Sequence, residues 1–144
     1  MKIPSLRRFI ALSALAASLS GCLRSTEAQP SLLQLDGSWT YTGVQTAPVP
    51  ENLTGTLVIS GGSGASFQGT LALVGRNPQT NQQRSLTGFV SGVSRSSNVV
   101  DFDFDVETVS RRHVGEIVAD TIKGTWVGSA DGTSGTFRAE REAR

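Results

Sequence analysis

Apolar and polar residues alternate along most of the chain after residue 35, and no window there sustains the spacing of a helical face. Such alternation predicts strands whose side chains point in turn to a core and to solvent. Turn-forming residues, such as those at 61–64 and 130–132, separate the alternating runs. The pattern predicts eight strands, at residues 37–44, 52–60, 65–74, 85–93, 97–106, 112–119, 121–129 and 133–141.

A short motif, in which a glycine lies two residues from an apolar residue on either side, recurs in these strands. It is centred on Gly55, Gly69, Gly88 and Gly124, and Gly135 keeps its second half. Each glycine therefore lies between two inner side chains, where it weakens a strand unless sharp coiling requires it. Eight coiled strands joined by short turns predict an all-β fold, a small antiparallel up-and-down barrel. A twisted sandwich with the same glycines is the alternative.

The alternation also predicts which residues line the interior, and this inner face has almost no hydrogen-bonding group. An eight-stranded barrel is either filled by side chains or holds one small ligand. An apolar ligand suits such an interior, because a polar one would lose its hydration without replacement. The predicted inner residues are Trp39, Tyr41, Leu57, Ile59, Phe67, Leu71, Leu73, Leu86, Val90, Val100, Phe102, Phe104, Val106, Ile122, Trp126 and Phe137.

The N-terminus has the pattern of a secretory signal. Lys2, Arg7 and Arg8 precede an apolar run over residues 9–19, which is too short to span a bilayer as a helix. The run ends in Leu19-Ser20-Gly21-Cys22. This sequence closely resembles the lipobox of bacterial lipoproteins, in which an aliphatic residue and two small residues precede a cysteine.

The lipobox resemblance implies a membrane anchor. In that family the cysteine thiol, here that of Cys22, carries a diacylglycerol, the peptide is cut before it, and the new amine is usually acylated, for example with palmitate. Several chains are needed because one acyl chain binds membranes only marginally. Leu23, rather than an aspartate, follows, which implies the outer membrane if the host has one. A plain signal peptide with an incidental Cys22 is the alternative.

We therefore predict three segments and a location in the bacterial cell envelope. Residues 1–21 form the signal peptide, residues 22–35 the lipidated cysteine and a flexible tether, and residues 36–144 the barrel domain. The two longest connections, 44–51 and 75–84, are the first and third, so they share one end of an up-and-down barrel. The tether enters at the other end, so the end with the long connections is expected to face away from the membrane and carry any binding function.

Composition limits the chemistry. One cysteine and one histidine exclude an internal disulfide and metal sites built from several such residues. The formal charge is +1 for the whole chain and −2 after removal of residues 1–21, which argues against nucleic acid as a partner. We predict no metal and no cofactor.

Three features of the sequence are candidates for chemistry. Asp101, Asp103 and Asp105 share one strand face, where they suit Ca²⁺ or, alternatively, a solvated face paired with Arg111 and Arg112. The run lacks the turn and glycine of a calcium-binding loop, which favours the second interpretation. His113 has no nucleophile in a recognisable setting beside it, which argues against a catalytic role. The glycine-rich residues 61–64 could bind a phosphate only if they opened a helix. They precede a strand instead, so they suit a hairpin turn. We predict no catalytic residue and no enzymatic activity.

A second resemblance concerns the first and last strands. Gly37-Ser38-Trp39 opens the first strand, and Arg138 or Arg141 lies in the last. This pattern resembles the calycins (lipocalins and avidins), in which a late arginine packs across the tryptophan of a Gly-x-Trp motif. The resemblance covers residues 36–141 and implies a barrel that binds a small ligand.

The sequence thus predicts a membrane-anchored lipoprotein whose lipocalin-like barrel binds a small apolar ligand in the cell envelope. Aromatic residues of the inner face are the candidate ligand contacts, although they serve equally to fill a core. The alternative function is that of a structural or protein-interaction module with a fully packed barrel. The candidate ligand-binding residues are Trp39, Tyr41, Phe102 and Trp126.

Overall fold

The chain folds into a closed eight-stranded barrel, as a computed structural model of residues 34–60 and 65–143 describes it. Each strand pairs antiparallel with the next, and the last pairs with the first, which confirms the predicted all-β up-and-down barrel. Cys22, the signal peptide and the tether up to residue 33 lie outside the described residues. The strands are β1 (Gly37–Ala47), β2 (Glu51–Ser60), β3 (Ser66–Arg76), β4 (Gln83–Ser94), β5 (Val99–Val106), β6 (Val109–Val118), β7 (Thr121–Gly128) and β8 (Ser134–Arg141).

Successive connections alternate between the two ends of the barrel. Residues 48–50, 77–82, 107–108 and 129–133 form one end, called the loop end here. Residues 34–36 lead into β1 at the opposite end, called the terminus end. The two connections predicted to share an end do so, and an ion pair of 2.6 Å between Arg84 and Glu51 joins the strands that flank them.

Recurrent glycines let neighbouring strands approach where the sheet coils. A Cβ on Gly55 would lie 1.9 Å from the carbonyl oxygen of Ala72 on β3, and one on Gly124 would lie 1.9 Å from that of Val114 on β6. Backbone occupies the space that any side chain would need, so only glycine fits at these positions, in keeping with the sharply coiled strands predicted from the sequence. Gly69, Gly88 and Gly135 face backbone carbonyls in the same way.

Apolar side chains line the barrel interior along its length. The predicted inner residues are buried, except that Leu86 and Val106 are partly buried at its edge. Leu53, Ile117 and Ala139 also belong to this core, as does Leu35 at the end of the predicted tether. The expectation of an inner face with almost no hydrogen-bonding group is wrong. In the described part of the chain, and apart from Asp101 on the outer wall, four buried polar side chains accompany the apolar ones: Gln45, Arg111, His113 and Thr133.

The start of β6 explains part of that error. β6 begins at Val109 rather than at residue 112, because the turn before it has only two residues, Glu107 and Thr108. Glu107 takes a positive φ of 54°, which lets the chain reverse tightly. Alternation from Val109 then directs Arg111 and His113 into the barrel, while Arg112 points out.

The described residues contain no helix of the length and apolar character that a membrane span requires.

Candidate functional site

Three of the four predicted ligand-binding residues converge on His113. The Phe102 ring stacks on the imidazole with centroids 4.6 Å apart, and the Trp126 ring lies 6.0 Å away. The Tyr41 ring meets the imidazole edge-on at 6.1 Å. These four rings form a cluster in the barrel interior, which we call the aromatic centre. The strands place them there because Phe102, His113 and Trp126 are register partners across β5, β6 and β7.

The fourth predicted residue, Trp39, lies apart from the aromatic centre, at the terminus end. Its Nε1 donates to the carbonyl oxygen of Leu35 over 2.9 Å, and the Arg141 guanidinium stacks on its ring at 4.3 Å. This is the arginine–tryptophan packing that the calycin resemblance implied, with Arg141 in the role and Arg138 outside it. Trp39 therefore closes the barrel end.

His113 is held as a neutral ring. Its Nδ1 donates to the carbonyl oxygen of Arg111 over 2.9 Å, so its Nε2 is free to accept from the Tyr41 hydroxyl at 3.2 Å. Burial lowers the pKa of His113 to about 4, aided by the nearby Arg111 charge and opposed by the hydrogen bond to the Arg111 carbonyl. Burial also raises the pKa of Tyr41, against the opposing effect of the Arg111 charge. Both rings are thus uncharged at neutral pH.

Arg111 brings the one buried cation among the described residues into this interior. Its side chain is only 6% exposed and stacks over the Trp126 ring at 5.3 Å. One of its nitrogens, Nη2, lies 3.3 Å from Oδ2 of Asp131. Its Nε and Nη1 have no hydrogen-bond partner in the described part of the chain, and neither does Nε1 of Trp126. Buried donors without partners are rare in proteins, because their desolvation is costly.

The β7–β8 connection, residues 129–133, covers Arg111 at the loop end. Asp131 Oδ1 accepts from the Thr133 hydroxyl at 2.6 Å and from its backbone N–H at 3.0 Å. Burial raises the pKa of Asp131, but the hydrogen bonds from Thr133 and the contact with Arg111 outweigh it, so that the pKa is lowered. Asp131 is accordingly an anion whose side chain is still 27% exposed.

The opposite side of the loop end is already satisfied. Arg84 donates from Nε and Nη2 to the Glu51 carboxylate at 2.6–2.9 Å. Gln45 is buried, donates to the Val49 carbonyl at 2.8 Å and accepts from Arg84 at 3.3 Å. In the described part of the chain, no buried side-chain nitrogen of this second group lacks a hydrogen-bond partner, in contrast to those of Arg111.

The aspartates of β5 form a different site on the outer wall. Asp101 is only 7% exposed, because Arg112 donates to both of its oxygens at 2.6 and 3.0 Å and Arg95 donates to one of them. The Arg112 hydrogen bond is the main reason that the pKa of Asp101 is lowered, against the effect of burial. Asp103 and Asp105 are exposed. The predicted pairing with Arg112 is therefore present for Asp101, whereas the pairing predicted for Arg111 is wrong because Arg111 faces inward.

These groups line a groove on the outer wall. Its volume is about 480 Å³, and its lining runs from β3 across β4 and β5 to Arg112 on β6. In the described residues no set of three histidine, cysteine, aspartate or glutamate side chains is arranged to hold a metal ion. The calcium interpretation of the aspartate run has no geometric support, because arginines occupy both oxygens of Asp101.

Comparison with known proteins identifies the fold. No family model matches the chain, and no curated protein does. Among solved structures, the chain is similar to EF1p2_mFAP2b bound to DFHBI, at 13% identity and a TM-score of 0.62, over 75% of this chain and 94% of that one.

A redesigned β-barrel, mFAP1, bound to DFHBI, matches at 13% identity and a TM-score of 0.61, over 74% of this chain and 94% of that one. A de novo designed fluorescence-activating β-barrel matches at 14% identity and a TM-score of 0.57, over 74% and 93%. At these identities the likeness concerns the fold alone. The chain therefore has the fold of small eight-stranded barrels, some of which bind a small molecule.

Proposed function

We propose that this protein is a lipid-anchored binding protein of the bacterial cell envelope, whose barrel takes up a small, largely apolar molecule and performs no chemistry on it. The observation that carries the binding function is the set of unpartnered donors on Arg111 and Trp126 inside a closed barrel. A protein gains nothing in stability from such donors, whereas a ligand that pairs them recovers their desolvation cost. Barrels of this fold that bind DFHBI supply independent support.

The aromatic side chains beside these donors favour an apolar body for the ligand. Tyr41, Phe102 and Trp126 present rings to the interior, and Phe137 stacks on Tyr41 with centroids 5.7 Å apart. Apolar surface of this kind stabilises a bound molecule roughly in proportion to the area removed from water. Access is proposed at the loop end, since Trp39 and Arg141 close the terminus end.

The anchor rests on Leu19-Ser20-Gly21-Cys22 and on where the tether meets the barrel. Residues 34–36 reach β1 at the terminus end, where Arg141 donates to the carbonyl oxygens of Gln34 and Asp36. With acyl chains on Cys22, the loop end would face away from the membrane, towards dissolved ligand. We expect the full chain in the membrane fraction of a bacterial host and Cys22→Ala in the soluble fraction. Equal soluble fractions for both chains would contradict the anchor.

Native mass spectrometry of the full chain, released gently from detergent, tests the binding function. A reproducible added mass that disappears on organic extraction is the expected result. A bare protein mass from several host species would contradict the proposal. It would favour the second candidate, a packed barrel that works through its outer wall, where Phe89 is 75% exposed.

A further inference from the structure

The unpartnered groups of the interior are all donors. Arg111 offers Nε–H and Nη1–H, and Trp126 offers Nε1–H from the ring on which the guanidinium stacks. The nearby acceptors are in use, because the Arg111 carbonyl accepts from His113 and His113 Nε2 accepts from Tyr41. A group that completes this site must therefore bring acceptor oxygens.

The charge of Arg111 further narrows the kind of acceptor group that would complete the site. Arg111 carries a full positive charge at a side chain only 6% exposed, and its counter-ion Asp131 makes one contact of 3.3 Å from a partly exposed position. His113 and Tyr41 are neutral, so they contribute no compensating charge. A buried cation with so little compensation favours an anion over a neutral carbonyl. A carboxylate matches the planar guanidinium with a single charge, whereas a phosphate would bring up to two charges against one arginine.

Asp131 already occupies part of the place that such a carboxylate would take. It is held in the 129–133 connection by Thr133, and Gly132 beside it has a positive φ of 66° and open space around it. Since a quarter of its side chain already meets solvent, Asp131 can turn outward into water, where hydration replaces its single contact with Arg111. An incoming carboxylate would replace one anion by another, so the charge inside the barrel end would not change.

We infer that Arg111 and Trp126 form a subsite for the carboxylate of an apolar monocarboxylic acid, and that Asp131 covers this subsite in the unliganded barrel. This inference rests on the proposed binding function and specifies the class of ligand. The acid has either an aliphatic or an aromatic body, and the two share the chemistry that Arg111 recognises. It enters past the 129–133 connection with its apolar body towards the aromatic centre.

Calorimetric titration of the purified full chain in detergent tests the subsite, with empty micelles as the blank. The probes are octanoate and 1-naphthoate, each paired with its uncharged primary amide. We expect at least one acid to bind about tenfold or more tightly than its amide, because only the acid supplies an anionic acceptor without a donor.

Three variants separate the subsite from general packing. Arg111→Met should remove the preference for the acid while leaving amide binding in place, since a methionine fills similar space without charge. Asp131→Asn should tighten acid binding severalfold, because the competing anion is lost and the amide oxygen can still accept from Thr133. Arg84→Met, at the same end but paired with Glu51, should leave the acid preference unchanged.

Each remaining outcome decides the question. Equal binding of acid and amide, or a preference that persists in Arg111→Met and is unaffected by Asp131→Asn, overturns the subsite but leaves the binding function standing. If neither acid binds the wild type or Asp131→Asn, the subsite is also overturned. In that case native mass spectrometry, through the presence or absence of an added mass, tests the binding function separately. Octanoate alone indicates an aliphatic acid, and naphthoate alone an aromatic one.

Discussion

His113 shows at the residue scale how the interior sets the charge of a side chain. It is 1% exposed, it stacks on Phe102, and its two ring nitrogens are both engaged as those of a neutral imidazole. Protonation would place a second cation beside Arg111 and would deprive the Tyr41 hydroxyl of its acceptor. The folded protein therefore resists protonation of His113 far below pH 6.5.

This resistance predicts that acid destabilises the fold before carboxylates titrate. The pKa of His113 is about 4 in the folded chain, against 6.5 for an imidazole in an unfolded chain. The stabilisation is complete above pH 6.5 and is lost as the pH falls towards 4, because the unfolded chain binds the proton first. We expect the free energy of unfolding to fall by about 3 kcal/mol over this window, measured by urea denaturation at a series of pH values.

His113→Gln is the matched variant, since glutamine stays neutral and polar. The chain has one histidine, so no other imidazole contributes to the slope. The free energy of unfolding of His113→Gln should be nearly flat from pH 6.5 to 4, even if its value at neutral pH is lower. An equal slope in the variant and the wild type would contradict a buried neutral imidazole.

At the element scale, the recurrent glycines are contact points between strands. Gly55→Ala would drive a Cβ to within 1.9 Å of the Ala72 carbonyl oxygen, and a backbone atom of a paired strand cannot move aside. We expect a loss of about 2–4 kcal/mol in the free energy of unfolding, measured by denaturant titration. Gly75→Ala is the control, because its Cβ would meet only side-chain atoms of Glu51 and Leu53 at 3.0–3.2 Å. An equally large loss of unfolding free energy in Gly75→Ala would show that the clash with a neighbouring backbone is not what destabilises Gly55→Ala.

Asp101 supports a different element, the outer wall of β5. Asp101→Asn should lower the melting temperature at neutral pH, because Arg95 and Arg112 lose their shared anion. The pKa of Asp101 is lowered from its usual 3.8, so its contribution is present above that value and lost as the pH falls below it. The gap between variant and wild type should therefore shrink below about pH 4. Asp103→Asn, on the exposed neighbour, should show no comparable gap.

The sequence predicts the barrel well because most strands contain the alternation of apolar and polar residues, and several contain the glycine motif. It predicts the interior less well because the turn at Glu107 and Thr108 contains no residue that favours tight turns, so the start of β6 is placed three residues late. The alternation Val109, Arg111, His113 would have revealed the inward arginine and histidine. The position of Asp131 in a connection does not indicate that it meets Arg111, because that contact depends on closure of the barrel.

At the scale of the whole molecule, closure depends on the seam between β1 and β8. Arg141 lies near the end of this seam, where it stacks on Trp39, lies 3.3 Å from Asp120 and donates to the Asp36 carbonyl at 2.7 Å. It therefore connects three parts of the terminus end: the segment before β1, the strand β1 itself and the β6–β7 turn. The alternation of side chains along β8 distinguishes Arg141 from Arg138, because Arg141 lies on the same inner face as Phe137.

Arg141→Ala should loosen the terminus end and the seam. The loss of one cation–π contact and of charged hydrogen bonds to backbone carbonyls predicts a decrease of about 2–4 kcal/mol in the free energy of unfolding. Hydrogen exchange should accelerate at the β1 and β8 amides, and the Trp39 ring should become accessible to quenchers. Arg138→Ala is the control, because that side chain is exposed and pairs with Glu140 on its own strand. If both variants lose the same stability and the seam amides exchange equally in both, Arg141 contributes only surface charge, and barrel closure rests on the strand pairing alone.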